Sequence, residues 1–323
     1  MHRFASLLPL PLVFVGLLAA ACGGSEEAGD SWSAEALGSR RGPVEAQIIS
    51  GSQIGQGPAR LAFGIIRSDE GTLVHDATAR VTLYTLDGDE GTSIGEFDLV
   101  PVQLLENTQH EHADGSQHLH DDPLATVYVL NTTLDHTDWW GASLDIKADG
   151  KEYKDVRTRF FVADTTSEPA IGAEVPAITQ LTTKDVRDVA MIDSSSPPRP
   201  ELHDLTVADA LKNGKPTLIA FATPAFCQTR FCGPVVESVV VPLHEKYGER
   251  MNFLHIEPYK LDEARNGRLV AIPEMATWGL QSEPWVFVLD ASGRVAAKFE
   301  GVMSQEEVEP FVQHVLDGQA LRN

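Results

Sequence analysis

The sequence predicts two domains, an all-β sandwich followed by an α/β domain. With 323 residues, 42% of them hydrophobic, the chain is long enough for two separate cores. Short runs with apolar residues at alternate positions fill the first half, as in strands with one buried face. The second half alternates helical patterns with continuous apolar runs, which is typical of a sheet covered on both faces.

The N-terminus has a basic start, an apolar run over residues 4–18 and small residues leading to Cys22. This order predicts a signal peptide over residues 1–22, because the run is short and interrupted by prolines. The sequence Leu-Ala-Ala-Ala-Cys resembles a bacterial lipobox, which implies lipidation of Cys22. We therefore expect a protein that is exported and lipid-anchored to the bacterial cell membrane. The alternative is an ordinary signal peptide that is cleaved nearby.

The charge of the chain limits its partners. There are 25 basic and 47 acidic residues, which gives a formal net charge of -22. A field of this sign repels phosphate backbones and anionic lipid surfaces. We therefore expect no nucleic acid partner, and we expect contact with the membrane only through the lipid anchor.

Residues 23–51 are rich in Gly, Ser, Ala and Glu and predict a flexible tether. Residues 52–165 predict a small antiparallel sandwich of the immunoglobulin-like class, because Gly- and Asp-rich turns separate short alternating runs. The expected strands are residues 60–66, 79–84, 93–99, 125–130, 142–146 and 159–162. Trp139 and Trp140 are interpreted as core or edge aromatics.

A histidine-rich segment lies inside the predicted sandwich. His110, His112, His118 and His120 form two His-x-His pairs with carboxylates between and after them. Imidazoles and carboxylates at this spacing suit copper or zinc. The alternative interpretation is a solvated acidic loop between two strands.

Residues 166–200 predict a linker and lead-in, and residues 201–323 predict the α/β domain. Thr206 and Asp209 predict a helix start, since they form a capping-box pattern. The expected helices are residues 206–212, 234–247, 274–278 and 305–316. The expected strands are residues 217–222, 252–257, 284–290 and 294–300.

Two segments of this domain resemble the thioredoxin superfamily. Residues 221–234 read FATPAFCQTRFCGP, and residues 278–290 read WGLQSEPWVFVLD. Residues 171–176 are similar to the lead-in of exported TlpA-like and redoxin members, so that the resemblance covers roughly residues 171 to 318. It implies a thioredoxin fold, Pro284 as the cis-proline that faces the cysteine site, and thiol chemistry that requires no cofactor.

The cysteine motif departs from that of the family. Cys232 opens a Cys-Gly-Pro sequence like the start of the family's C-G-P-C, but Val235 replaces the second cysteine and Cys227 lies five residues upstream. The buried acid of thioredoxins would fall near Ala220 and is missing, whereas Glu283 places a carboxylate beside Pro284.

If Cys22 carries lipid, Cys227 and Cys232 are the remaining cysteines, and outside the cytoplasm we expect them to form a disulfide. Five residues of helix rise about 7.5 Å, which is more than a disulfide tolerates, so the segment between them must be a loop. Pro234 predicts a helix start, and a helix N-terminus lowers the pKa of a nearby thiol.

Two hypotheses follow. The first is an anchored thiol-disulfide oxidoreductase in which Cys227, Cys232 and Pro284 form the catalytic site, acting on exported proteins or on a redox partner with thiols or disulfides. Which cysteine attacks is left open. The second is a non-catalytic binding or copper-handling module with a structural disulfide. The segment before Cys227 does not fit a peroxiredoxin, the segment around Pro284 lacks the histidine of Sco-type copper proteins, and His255 is interpreted as a structural residue.

Overall fold

The computed structural model describes residues 32–33, 42–51, 53–105, 108–111, 117–120 and 123–318. The predicted signal peptide, Cys22 and most of the predicted tether lie outside these ranges. Within them, no helix combines the length and the apolar character needed to cross a membrane. From Trp32 onward the chain forms one compact unit.

The N-terminal half consists of strands. They are β1 (Trp32–Ser33), β2 (Val44–Ile48), β3 (Ile54–Gly55), β4 (Gly57–Arg67), β5 (Thr78–Asp87), β6 (Glu90–Asp98), β7 (Val100–Leu105), β8 (Thr108–Glu111), β9 (Gln117–His120), β10 (Pro123–Leu134), β11 (Asp138–Ala148) and β12 (Lys151–Ala163). A larger sheet has the order β1-β6-β5-β11-β12-β3, a smaller one has β2-β4-β10-β7, and β8 and β9 pair with each other. Each run of alternating residues predicted as a strand lies in one of these strands, to within one residue.

The two larger sheets pack face to face. Leu61, Phe63 and Ile65 alternate along β4 and share a core with Val81 and Leu144 of the other sheet. Alternate residues of a strand point to the same face, so β4 presents a continuous apolar surface to this core. The N-terminal half is therefore a β-sandwich, and its immunoglobulin-like class stays a prediction.

The predicted tether is wrong at its C-terminal end. Residues Val44–Ile48 form β2, which pairs antiparallel with β4, and Val44 and Ala46 are buried in the sandwich core. A five-residue strand that contains Glu, Ala and Gln has too few large apolar residues to be distinguished from the polar segment before it. The sandwich therefore begins before residue 52.

The C-terminal half contains the strands β13 (Thr217–Phe221), β14 (Asn252–Ile256), β15 (Trp285–Leu289) and β16 (Val295–Glu300), in the sheet order β14-β13-β15-β16. β13 runs parallel to β14 and antiparallel to β15, and β15 runs antiparallel to β16. Every residue of β13, β14 and β15 is buried, so both faces of the sheet are covered. This mixed sheet is the arrangement that the resemblance to thioredoxin implies.

The helices of the C-terminal half are α1 (Val207–Ala210), α2 (Cys232–Val235), α3 (Val241–Tyr247), α4 (Leu261–Arg265), α5 (Pro273–Thr277) and α6 (Gln305–Leu316). A π-helical turn, Val236–Val240, joins α2 to α3 into one continuous helix, which begins at Cys232 rather than at Pro234. Pro242 follows the π turn. Its ring would clash with the carbonyl of the preceding turn in a regular helix, and the wider turn relieves this clash.

The smaller sandwich sheet also packs on the C-terminal half. Ala62 on β4 and Val127 on β10 alternate with the sandwich-core residues and join a cluster with Val235 and Val239 of the long helix. Successive residues of a strand point to opposite faces of the sheet. Because both sets are apolar here, one sheet contributes to two hydrophobic cores. The division into two domains that the sequence predicts is therefore not visible as two separate compact units.

The predicted linker, residues 166–200, is part of the C-terminal core. Val175 and Ile178 are buried in the cluster that contains Phe221. Glu168 forms an ion pair of 2.6 Å with Lys298 on β16, and both side chains are largely buried. A free linker would not bury apolar and charged side chains in this way, so these residues belong to the lead-in rather than to a linker.

Candidate active site

Cys227 and Cys232 meet at the end of β13. The chain leaves β13 at Phe221, loops through Cys227 and enters the long helix at Cys232, whose backbone N–H donates to the Cys227 sulfur at 3.3 Å. The two cysteines approach to 2.7 Å, which is longer than the roughly 2.05 Å of a disulfide bond, and both are free thiols. The segment between them is a loop, as their spacing required. The two cysteines are therefore close together, although not at the distance of the disulfide expected from the sequence.

The turn that brings the sulfurs together depends on Arg230. This residue has a φ of 69°, in the left-handed region that non-glycine residues rarely adopt. The reversal places Phe231 as the residue before the helix and directs the helix N-terminus toward Cys227. Unpaired N–H groups at a helix start stabilise a negative charge.

The Cys227 sulfur is half-buried and accepts several hydrogen bonds. The Cys232 thiol, the Thr229 hydroxyl and the backbone N–H groups of Cys232 and Thr229 together lower the pKa of Cys227 to about 5, against the opposing effect of burial. Cys227 is therefore a thiolate at neutral pH, and the residue is only half-buried. These are the properties of an attacking nucleophile.

Cys232 has the opposite properties. Its side chain is fully buried, and burial raises the pKa of this thiol well above its usual range, as do the neighbouring Cys227 and Glu283. A buried, protonated thiol does not attack an external substrate. The structure thus distinguishes the two cysteines, which their positions in the sequence left equivalent.

Glu283 lies against both sulfurs. The Glu283–Pro284 peptide is cis, and one carboxylate oxygen of Glu283 lies within 4.8 Å of both cysteine sulfurs. Its Oε2 accepts a hydrogen bond of 3.0 Å from the Tyr259 hydroxyl, while Oε1 is buried and has no hydrogen-bond partner among the described residues. Burial raises the pKa of Glu283, and the charge of Cys227 raises it further.

The acid nearest the cysteines does not belong to β13. Ala220 on β13 is fully buried beneath the site and carries no acid, as the sequence indicated. Glu283 instead approaches the cysteines from the cis-proline side. Glu283 is recognisable in the sequence because it adjoins Pro284. Thr229 and Tyr259 are not, since neither belongs to a recognised motif and both reach the site only through loop geometry.

A second buried cluster joins the lead-in, the residue after the 3-10 turn Pro200–Leu202, and β14. One ligand atom from each of Asp193, His203 and His255 lies within 4.8 Å of the others, and the three side chains are almost fully buried. Burial lowers the pKa of His203. Asp193 and His203 were not singled out in the sequence, and His255 was interpreted as structural, because distant chain segments bring these residues together.

Two parts of the histidine-rich segment, β8 and β9, pair as antiparallel strands. In the backbone ladder of β8 and β9, His110 lies opposite His118, and His120 lies opposite Thr108. His112 lies outside the described residues, as do the details of the side chains in these two strands. Binding of copper or zinc there stays a prediction.

Comparison with known proteins finds distant likenesses. No protein-family profile matches the chain, and no curated protein matches it significantly. It is similar to a thioredoxin-family thiol:disulfide interchange protein from Chlorobium tepidum TLS, with 19% identity, 46% of this chain and 98% of that chain covered, and a TM-score of 0.30. It is also similar to the Lin-41 filamin domain, with 14% identity, 37% and 93% covered, and a TM-score of 0.17. Because both TM-scores lie below 0.5, we base the fold on the sheet topology and the function on the geometry of the site.

Proposed function

We propose that the chain is an extracytoplasmic, membrane-anchored thiol-disulfide oxidoreductase that uses Cys227 and Cys232. The observation that carries this proposal is the contrast between the two thiols. Cys227 is half-exposed with a pKa of about 5, and Cys232 is buried with a raised pKa. A structural disulfide needs no such contrast in burial and pKa. A two-step exchange does, because it needs one nucleophile and one protected resolving thiol.

In the first step the Cys227 thiolate attacks a disulfide of the substrate. A bond forms between Cys227 and one substrate sulfur, the substrate S–S bond breaks, and the other substrate sulfur leaves as a thiolate that takes a proton from water. The hydrogen bonds from Thr229 and from the Cys232 N–H hold the attacking sulfur in its charged form.

In the second step Cys232 resolves the mixed disulfide. We assign Glu283 as the group that accepts the Cys232 proton, because one of its carboxylate oxygens lies within 4.8 Å of both sulfurs. The Cys232 sulfur then attacks Cys227, and the substrate leaves as its second thiolate. The substrate gains two electrons, the chain loses two as it forms the Cys227–Cys232 disulfide, and an external dithiol must reduce it again.

The same steps in reverse oxidise a dithiol substrate. The substrates we propose are exported proteins or a redox partner with thiols or disulfides, and the basis for this choice is the predicted signal peptide and the lipobox-like sequence before Cys22. No cofactor is needed for either direction, since the sulfurs carry the electrons.

The experiment combines turnover with trapping. The purified chain is supplied with a model disulfide and a dithiol, and substrate reduction is compared with that of Cys227→Ser and Cys232→Ser variants. We expect C227S to be inactive and C232S to accumulate a mixed disulfide at Cys227, visible as an adduct by mass spectrometry. Absence of turnover, together with a Cys227–Cys232 bridge that resists reduction below about -300 mV, would contradict the proposal and indicate a structural disulfide.

One observation favours a second candidate, a copper-handling module. Two thiols and a carboxylate converge within 4.8 Å, and thiolates are preferred ligands of Cu(I). Titration of the reduced chain with Cu(I) tests it. Tight stoichiometric binding that C227S abolishes, without turnover of disulfides, would favour copper handling over exchange.

A further inference from the structure

The cluster of Asp193, His203 and His255 is separate from the cysteine chemistry. Asp193 belongs to the lead-in, His203 follows the short 3-10 turn Pro200–Leu202, and His255 lies on β14. Their exposed fractions are 1%, 3% and 1%. A carboxylate and two imidazoles in such a place must satisfy each other or bind a further group, because unpaired polar groups are costly to bury.

The hydrogen bonds of His255 fix the state of its ring. Its Nε2 lies 2.9 Å from the carbonyl oxygen of Ala222. A carbonyl only accepts hydrogen bonds, so Nε2 carries the proton, and in the neutral ring Nδ1 is a bare acceptor. This Nδ1 lies 3.6 Å from Oδ1 of Asp193. Two acceptors therefore face each other in a buried place unless a cation lies between them or the ring is protonated.

His203 completes the arrangement from another side. Its Nε2 lies 3.3 Å from Oδ2 of Asp193. Neither this nitrogen nor Nδ1 of His255 makes a hydrogen bond of acceptable geometry with the described residues. Both nitrogens are buried and directed at the same carboxylate.

The distances between the candidate ligand atoms match those between neighbouring ligands of one metal ion. Zinc binds imidazole nitrogen and carboxylate oxygen at about 2.0 to 2.2 Å, so neighbouring ligands of a tetrahedral site lie about 3.3 to 3.6 Å apart. The observed separations between the nitrogens and the Asp193 oxygens are 3.3 and 3.6 Å. Ordinary hydrogen bonds would be shorter and better directed.

The groups behind these ligands also suit a metal. A histidine that binds metal usually donates its other N–H to a carbonyl or carboxylate, as His255 does to Ala222. The Asp193 carboxylate is oriented by the backbone N–H groups of Ser195 and Arg199, at 2.8 and 2.6 Å. Both outer interactions fix the ligands before any ion binds.

We propose that Asp193, His203 and His255 bind one divalent transition-metal ion. Among such ions, zinc fits this set of donor atoms best. The ion would fasten the lead-in to β14. It would also support the cysteine loop, because Ser194 accepts a hydrogen bond from the Ala225 N–H at 3.0 Å and donates its own N–H to Glu257 at 2.7 Å. The site lies under the loop that carries Cys227.

The test separates this site from other groups that bind zinc. A background variant carries C227S, C232S and alanines in place of His110, His112, His118 and His120, and it does not depend on the proposed redox function. We expect this background to retain one zinc per chain after dialysis, measured by elemental analysis. Cobalt(II) in place of zinc should give ligand-field absorption without a thiolate charge-transfer band.

Substitution of the ligands completes the test. Asp193→Asn keeps the shape and one of the two acceptor oxygens, so that it loses the hydrogen bond from either Ser195 or Arg199 along with the charge, and it should weaken zinc binding by at least about 100-fold. His203→Gln serves as a second variant in case D193N does not fold, and Glu201→Gln is the matched exposed control. Zinc binding that is absent from the background, or unchanged in D193N and H203Q, would overturn the proposal. Nitrogen NMR gives a second way to overturn the proposal. If both nitrogens of the His255 ring carry protons, His255 and Asp193 form an ion pair and no metal ion lies between them.

Discussion

At the residue scale, the reactivity of Cys227 comes from donors within five residues of it along the chain. Thr229 and Cys232 supply a hydroxyl, a thiol and two backbone N–H groups to one sulfur. Each donor favours the charged form, and together they outweigh the effect of burial. Reactivity is thus a property of the loop conformation, and single substitutions in the loop should change it by predictable amounts.

Replacing Thr229 by valine removes the hydroxyl that lies 3.3 Å from the Cys227 sulfur and keeps the shape of the side chain. A hydrogen bond to a charged group contributes about 1.5 kcal/mol, so the pKa of Cys227 should rise by about one. Alkylation of Cys227 should be half-maximal near pH 5 in the wild type and at higher pH in T229V. Thr229→Ser, which keeps the hydroxyl, is the control. Identical pH profiles for T229V and wild type would show that the hydroxyl has no part in stabilising the thiolate.

Replacing Glu283 by glutamine tests the proton acceptor. Alkylation of Cys227 should stay fast in E283Q, because the donors to its sulfur remain. Resolution of the mixed disulfide by Cys232 should slow by about 100-fold, the usual effect of losing a general base. The measurement is the rate at which a preformed mixed disulfide on Cys227 decays. Glu274→Gln, at the start of α5, is the matched control, and equal decay rates in E283Q and wild type would remove Glu283 from the mechanism.

The sequence predicted Cys227, Cys232 and Pro284 as one site, because their motifs lie at known positions of a family. It left the roles of the cysteines open, since these depend on how deeply each sulfur is buried. Burial of Cys232 follows from its position at the start of the helix, in the core cluster beneath the sandwich sheet. No local pattern contains that information.

At the scale of elements, periodic patterns were sufficient for most strands and for the long helices. Residues 305–316 form α6 with the predicted bounds, and Ser304 caps it by accepting the Glu307 N–H at 3.3 Å. The sequence did not predict β1, β2, β3, β7, β8, β9 or α4. These elements have two to six residues and lack the continuous apolar run that marks β13, β14 and β15, so no pattern distinguishes them from loops.

Replacing Ser304 by alanine tests the start of α6. Loss of the side-chain acceptor leaves an N–H of the first turn unpaired and should lower the free energy of unfolding by about 1 kcal/mol. Ser304→Gly should cost only a few tenths of a kcal/mol, because glycine is a tolerated N-cap. Urea unfolding measures both variants. Equal losses in S304A and S304G would mean that the hydroxyl is not the stabilising group.

At the scale of the whole molecule, one sandwich sheet has two buried faces. Residues such as Ala62 and Val127 face the long helix, while their neighbours face the sandwich core. Small side chains on the outer face let the helix that carries Cys232 pack closely. The sequence shows this as strands that are apolar on both faces, but it does not say which helix covers the second face.

The ion pair between Arg60 and Glu307 allows the energetic coupling between the sandwich and the C-terminal half to be measured. Arg60 on β4 forms a buried ion pair with Glu307 of α6 at 2.6 Å and also donates to the Val302 carbonyl at 2.8 Å, and each charged side chain is only 10% exposed. Arg60→Met leaves the Glu307 charge buried without its partner and should lower the free energy of unfolding by about 3 kcal/mol. The double variant R60M/E307L should recover much of this loss, because no charge stays buried.

The same variants test whether the sandwich and the C-terminal half unfold together. Because they share a core, tryptophan fluorescence and alkylation of the buried Cys232 should report one urea transition, and R60M should move both midpoints equally. Arg80→Met is the control, since Arg80 pairs with Glu96 and Asp98 on the exposed face of the sandwich and should change the free energy of unfolding by less than about 1 kcal/mol. Two separated transitions, with only one moved by R60M, would show that the halves are stable independently. In that case the sandwich would not help to keep Cys232 buried.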